Sequence, residues 1–219
     1  MLKSRLCIAF FAFAVGCAPA QKPLTDYVNP MLGTATLWDS VDLGFKPTKR
    51  TWGAEVFPGS SLPNAMVQVS PVTKFHSPFS HERESAAPGY YQVFLDRYGV
   101  DAQLSSTLRC AFHKYTYPAG AAASLLADLQ RSNEHVRAWD IRKEGDNVFA
   151  GWQQTGEKMY FYAVANRPVT GIEPVVEGDR EVRIVRFGEG DGALELRIGF
   201  SFVSEENARK NLEAEMLGR

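Results

Sequence analysis

The sequence predicts an all-β protein, an antiparallel two-sheet β-sandwich followed by a short C-terminal helix. Three observations predict it. Apolar residues alternate with polar ones in short runs from 65 to 203, the period-2 signature of strands buried on one face. Turn-forming clusters such as Glu144-Gly145-Asp146-Asn147 and Gly188-Glu189-Gly190-Asp191-Gly192 separate those runs. Strand patterns do not alternate with helix patterns, which argues against a parallel α/β sheet.

The clearest strand lies between Ala193 and Val203. Leu194, Leu196, Ile198, Phe200 and Phe202 alternate with Glu195, Arg197, Gly199 and Ser201, and all five apolar residues are expected to point into one core. Tyr91, Val93 and Leu95 form a similar face, as do Val100, Ala102 and Leu104. Met159 to Ala165 is apolar on both faces and reads as a central strand. Segments 124–130, 136–142, 147–155 and 182–187 complete the set. Residues 35–64 differ. They carry Trp38, Trp52, Pro47, Pro58 and Pro63 and read as a long irregular loop, a kind of segment that often carries function.

After Val203 the period changes. Ser204 is placed to cap a helix, Glu205 and Glu206 suit its N-terminus, and Ala208, Leu212 and Met216 share one stripe. Nothing in the remaining residues would cover Leu212, Met216 and Leu217. The expected state of 204–219 is therefore the frayed start of a linker helix.

At 219 residues, with 45% hydrophobic and 22% charged residues, the chain has the composition of a globular protein. Its net charge of −1 gives no footprint for nucleic acid. Lys3 and Arg5 precede an apolar run from Leu6 to Val15, too short for the ~20 residues of a membrane span. That is the pattern of an export signal, residues 1–20. Two cleavage readings stand. Ala18-Pro19-Ala20 offers small residues to an ordinary signal peptidase, and Ala14-Val15-Gly16-Cys17 resembles a bacterial lipobox that would acylate Cys17. The expected destination is secreted or periplasmic, or the outer membrane as a lipoprotein, with membrane contact only through that lipid. Cys110 is then the one cysteine left in the body, at 21–203, and no internal disulfide is available.

Several motifs follow one another in a fixed order: Tyr27-Val28-Asn29-Pro30-Met31-Leu32-Gly33-Thr34, Phe57-Pro58-Gly59, Met66-Val67-Gln68-Val69-Ser70-Pro71, Pro88-Gly89-Tyr90-Tyr91, 109–118 (RCAFHKYTYP) and 157–164 (EKMYFYAV). Together they resemble the N-terminal domain of glycoside hydrolase family 92, calcium-dependent exo-acting α-mannosidases. The resemblance implies a galactose-mutarotase-like sandwich and, in the complete enzyme, removal of terminal α-linked mannose from glycans with calcium. It places the catalytic carboxylates and most of the metal site on a C-terminal helical-barrel domain that this chain lacks, so no cofactor and no turnover are expected here. A block present in the family is absent near Ser77/Pro78, where Lys74-Phe75-His76-Ser77 runs straight into Pro78-Phe79-Ser80-His81. The resemblance also sets Trp52, Phe57, Pro58 and Gly59 near the substrate. Aromatic faces stack on the C–H face of a pyranose, and a Gly/Pro loop lets backbone amides approach hydroxyls. The plainer role for these residues is shaping and packing the loop.

Other chemistry-bearing residues point elsewhere. Glu82 and Glu84 would share a strand face as a solvated pair. His76 and His81 lack a third ligand at metal spacing. His113 reads as a solvent-facing strand histidine and Cys110 as a buried thiol. A different class of function stays open: a stand-alone carbohydrate-binding or protein-interaction sandwich, favoured if the C-terminal helix packs on its own sheet.

Overall fold

Alternating faces become strands only when each finds hydrogen-bonding neighbours, and here those neighbours are antiparallel throughout. The computed structural model describes Pro23, Met31, Ser60–Ser61, Gln68–Val69 and 77–217, the last apart from 131, 133, 178–179 and 191. β1 (Ser60–Ser61) pairs with β2 (Gln68–Val69) as a small two-stranded sheet. A single 3-10 turn at His81–Arg83 then leads into β3 (Glu84–Ala87), β4 (Tyr90–Leu95), β5 (Val100–Ser106) and β6 (Cys110–Thr116), a meander. β7 (Ser124–Ala127) crosses to a second layer. β8 (Ala138–Gly145), β9 (Val148–Gln154) and β10 (Lys158–Ala165) form another meander. β11 (Val169–Glu177) and β12 (Arg180–Phe187) make a hairpin in the second layer, and β13 (Leu194–Ser201) returns to the first.

The larger sheet has eight strands in the order β3-β4-β5-β6-β13-β10-β9-β8, and the smaller has three in the order β11-β12-β7. β13 lies between the two meanders. Its residues Leu194 to Gly199 pair with β6, and Leu196 to Ser201 pair with β10. Between the layers, Phe149, Phe161, Ala163, Leu194 and Leu196 of the large sheet pack against Val169, Val185 and Phe187 of the small one. Phe149 meets both Phe161 and Phe187 edge to face, at centroid distances of 6.4 and 6.3 Å. That is the arrangement ring quadrupoles favour. A second cluster, Tyr91, Val93, Ala102, Leu104 and Ala111, lies under the first meander, where β1 and β2 pack against β5.

The expected sandwich is therefore present, with three departures. Phe202 does not join the core. The last pair with β10 is Tyr160↔Ser201, so Phe202 stands beyond the sheet, 54% exposed. The edge strand β11 escaped the sequence pattern because Pro174 and a register shift at Val169/Gly171 interrupt it. At an edge, one side of the strand needs no ladder donor, so proline is tolerated there.

The third departure is the helix. α1 (Glu205–Leu212) begins at Ser204, whose hydroxyl accepts from the Asn207 amide at 3.1 Å. The chain then continues into a wider π-type turn at Glu213–Leu217. Leu212 is not left uncovered: Ala208 and Leu212 are fully buried, and the helix packs on β13 and β10, on the face opposite the small sheet. Gly199 makes this possible. A Cβ there would stand 2.2 Å from the Ala208 carbonyl oxygen and 2.9 Å from the Leu212 Cβ. Asn211 donates to the Phe200 carbonyl at 2.7 Å, Arg142 reaches Glu205 at 2.8 Å, and Glu215 holds Arg109 at 2.5 Å. Only Leu217, 47% exposed, keeps the expected open position.

Gly199→Ala should therefore push the helix off the sheet. A methyl group cannot share that space with backbone, and the expected loss is about 1–3 kcal/mol. The check is the urea midpoint together with hydrogen exchange at Leu212. An unchanged midpoint with Leu212 still protected would show that the close approach does not hold the helix.

Candidate functional site

The residues singled out for sugar contact, Trp52, Phe57, Pro58 and Gly59, lie outside the described residues, as do Cys17, Trp38 and His76. What the structure does place is the strand that follows Gly59. β1 is paired with β2 and lies against β4 and β5 of the first meander.

A cleft of about 620 Å³ opens at the other side of the large sheet, where β8 faces β12 across the mouth of the sandwich. The sequence builds it by alternation. On β8, Trp139 shares the inward face with Ile141, and its ring packs on the edge of the core. On β12, Arg183 shares the inward face with Val185 and Phe187. The two side chains meet: the Arg183 guanidinium carbon lies 4.7 Å from the centre of the Trp139 ring. Glu181 holds that guanidinium at 2.5 Å, and the Glu181 amide donates to Gln130 at 2.9 Å. Glu134, His135, Arg137 and Asp140 complete the rim. Both signs of charge occur, around an aromatic and guanidinium floor. The arrangement suits hydrogen bonding to a ligand. The sequence reading did not find it, because the two strands are joined through distant pairings and neither Trp139 nor Arg183 belongs to a motif.

The titratable residues flagged in the sequence take other positions. Glu82 and Glu84 are not a solvated pair. Glu82 sits in the His81–Arg83 turn, while the Glu84 side chain is only 4% exposed. Glu84 accepts from the Tyr91 hydroxyl and contacts His81 Nδ1 at 2.6 Å. Burial first, then the Glu84 carboxylate, pushes the Tyr91 phenol well above its ordinary value. Cys110 is a buried thiol beneath the C-terminal turn. Burial and the nearby Glu215 carboxylate push it up to about 12, which leaves it a poor nucleophile. Glu215 loses hydration too, yet hydrogen bonds from Thr107 and Arg109 hold its carboxyl below the usual range. His113 does not face solvent. It lies on the inward side of β6 between Leu104 and Leu196, with Nδ1 2.9 Å from the Tyr115 hydroxyl. The residue keeps some exposed area, but its ring is enclosed, and loss of hydration pulls it down to about 4. Among the described residues no three His, Cys, Asp or Glu side chains converge as a metal site. No helix among them is long and apolar enough to cross a membrane.

Comparison with known proteins places this sandwich. Residues 72–207 match the glycosyl hydrolase family 92 N-terminal domain, and the chain belongs to that family. Among solved structures, the chain is similar to the family GH92 α-mannosidase BT3965 from Bacteroides thetaiotaomicron. The TM-score is 0.73 at 20% identity, over 90% of this chain and 36% of that one. The same enzyme in complex with mannoimidazole aligns with a TM-score of 0.70, again at 20% identity, over 88% of this chain and 34% of that one. The family GH92 inverting mannosidase BT2199 from the same organism gives 0.55 at 22% identity, over 65% of this chain and 21% of that one. The chain thus spans about a third of the length of BT3965. No curated protein matches it.

The enclosed His113 has a consequence for acid stability. Its folded pKa is lowered, so between the unfolded value near 6.5 and about 4 the unfolded chain binds the extra proton. The contribution of neutral His113 is fully present above the unfolded value and fades as pH falls through that window. It amounts to roughly 3 kcal/mol. His113→Gln should flatten the urea midpoint between pH 6.5 and 4 relative to wild type. Parallel curves for the two proteins would show that the ring titrates as freely folded as unfolded.

Proposed function

We propose that this chain is the N-terminal, carbohydrate-contacting domain of an exported α-mannosidase-like hydrolase. The complete enzyme would remove terminal α-linked mannose from glycans, and the chain alone would not turn substrate over. The observation that carries this reading is the family match across 72–207, with the same sandwich recurring in two GH92 mannosidases. Trp52, Phe57, Pro58 and Gly59 are the residues proposed to meet the glycan. Their residue types would supply stacking faces and accessible amides, and β1 follows them in sequence. Catalytic carboxylates are assigned to a C-terminal helical-barrel domain, the partner that this domain would support. Calcium enters the proposal only through that remainder. Among the described residues no three His, Cys, Asp or Glu side chains converge, and the proposal assigns the ion's oxygen ligands to that remainder. The leader at 1–20 supports export to the periplasm or beyond, with Cys17 as the acylated residue if the lipobox is used.

One observation favours a second reading, a stand-alone carbohydrate-binding or protein-interaction sandwich. Leu212 is covered by the protein's own sheet rather than waiting for another domain. A helix docked in this way closes the sandwich as readily as it leads onward from it.

The purified chain should leave an aryl α-mannoside intact with or without calcium. Calcium-dependent hydrolysis that disappears on changing a single Asp or Glu of this chain would overturn the proposal. For export, deleting Leu6 to Val15 should retain the protein in the cytoplasm. Cys17→Ser should release it from membrane fractions if the lipobox is used. A fully soluble wild type would instead assign cleavage after Ala20.

A further inference from the structure

We infer that the cleft between β8 and β12 is a second saccharide site, binding a neutral oligosaccharide through Trp139, Arg183 and Asp140, apart from the loop around Phe57. The cleft has the size of a small-molecule site, about 620 Å³, inside the ~300–1,000 Å³ such sites occupy. Its chemistry selects the ligand class. Glu134 and Glu181 line the same space as Arg137 and Arg183, and Asp140 stands at its rim. An anion entering it would meet three carboxylates, and a cation two guanidinium groups. A polyol carries no charge to repel and offers hydroxyls that donate to the carboxylates and accept from the guanidinium groups in turn.

The floor is already ordered. Arg183 is fixed on two sides, by the Trp139 ring at 4.7 Å and by Glu181 at 2.5 Å. Trp139 itself is seated on the core. A ligand therefore meets a flat, rigid surface and does not have to immobilise long side chains on arrival. Asp140 lies on the neighbouring position of β8 and faces the opposite side of the strand, 3.6 Å from Arg142. It forms the rim, where it can accept from a hydroxyl without rearrangement. The mouth is open to solvent, so an oligosaccharide can lie across it with its ends free, and binding should be correspondingly weak.

The choice of a mannoside probe rests on the reading above; the site itself does not. The test is isothermal titration of the full chain with α-1,2-linked mannobiose and, separately, with cellobiose, sodium sulfate and spermidine. The expected result is saturable binding of at least one of the two disaccharides, with Kd on the order of 1 mM, and no saturable binding of either ion. Trp139→Phe and Arg183→Gln should each weaken binding about tenfold. Because Trp139 also packs on the core, Asp140→Asn provides the independent check. It should weaken binding about threefold with an unchanged melting curve. In a Trp52→Ala background, which removes the loop's contribution, the cleft variants should weaken the remaining binding by the same factors. Several results would overturn the inference: no saturable binding of either disaccharide by the folded wild type, wild-type affinity in Arg183→Gln and Asp140→Asn, or preferential binding of sulfate or spermidine. Disaccharide binding lost in Trp52→Ala but kept in the cleft variants would overturn it as well, while sparing the loop reading. Binding of cellobiose but not mannobiose would keep the cleft and remove the mannoside reading.

Discussion

β13 is the constraint on which the rest of the molecule depends. The first meander, β3 to β6, and the second, β8 to β10, share no direct pairing in the large sheet. They become one sheet only because the last strand of the chain lies between them, bonded to β6 on one side and β10 on the other. Its inward residues serve both cores. Leu194 and Leu196 lie in the cluster between the two sheets, while Ile198 and Phe200 touch that cluster and the one under the first meander. The ladder β6-β13-β10 joins residues far apart in sequence. Closing it costs loop entropy that local contacts cannot offset until both meanders exist. The halves can form from hairpins, but the sandwich waits for its final strand.

The outward face of that strand explains the C-terminal helix. An α-helix resting on a sheet needs a shallow place to approach, and Gly199 supplies it between Arg197 and Ser201. Around that contact the polar groups are matched in pairs: Asn211 to the Phe200 carbonyl, Glu205 to Arg142, Glu215 to Arg109 and Thr107. The two ion pairs, to Arg142 and Arg109, lie at the surface, so each contributes little by itself. Their value lies in orientation, since they fix the helix at the angle that lets Ala208 and Leu212 close over Gly199. Cys110 is sealed beneath the same lid, and this environment, not any catalytic partner, sets its proton affinity.

Much of this was legible in the sequence, and the failures share a cause. Alternation identified β4, β5 and β13 because each sets an apolar face on a core, and β10 was legible as a central strand because both of its faces are apolar. The same alternation ran on through Phe202, where no partner strand remains, since period-2 patterning is blind to where pairing stops. In β6 both Cys110 and Ala111 are buried, under the helix and under the core, so the faces look alike and the inward side of His113 could not be read. Pro174 hid β11 by mimicking a loop. The helix was expected, and Gly199 was the clue to its docking: a glycine inside an otherwise clean strand marks a close approach. It was read merely as a member of the polar face. The loop carrying Trp52 and Phe57 was visible as composition and motif. The cleft at Trp139 was not, because its chemistry exists only after β8 and β12, which share no ladder, are brought face to face.

Trp139 and β1, the strand that follows the Trp52–Gly59 segment in sequence, lie toward opposite edges of one sheet, and this bears on what the two candidate sugar contacts can do together. β1 lies against β4 and β5, near one edge of the eight-stranded order, while Trp139 is on β8 at the opposite edge. Strands lie about 4.8 Å apart, so the five or six intervening steps separate the two places by roughly 25 Å. A single terminal mannose cannot span that distance. If both contacts are used, they hold different parts of a branched or extended glycan. The exo-acting end would then be reached at the loop while the cleft retains a neighbouring arm. Two weak contacts joined by one ligand act at high effective concentration, so on the proposed reading this domain would raise the residence time of a glycan at an active site beside it. The sandwich would then matter to the reaction by where it holds the substrate, and an open, polar, weakly binding cleft would suit that task better than a deep one, because a tightly held arm would slow release after each sugar is removed.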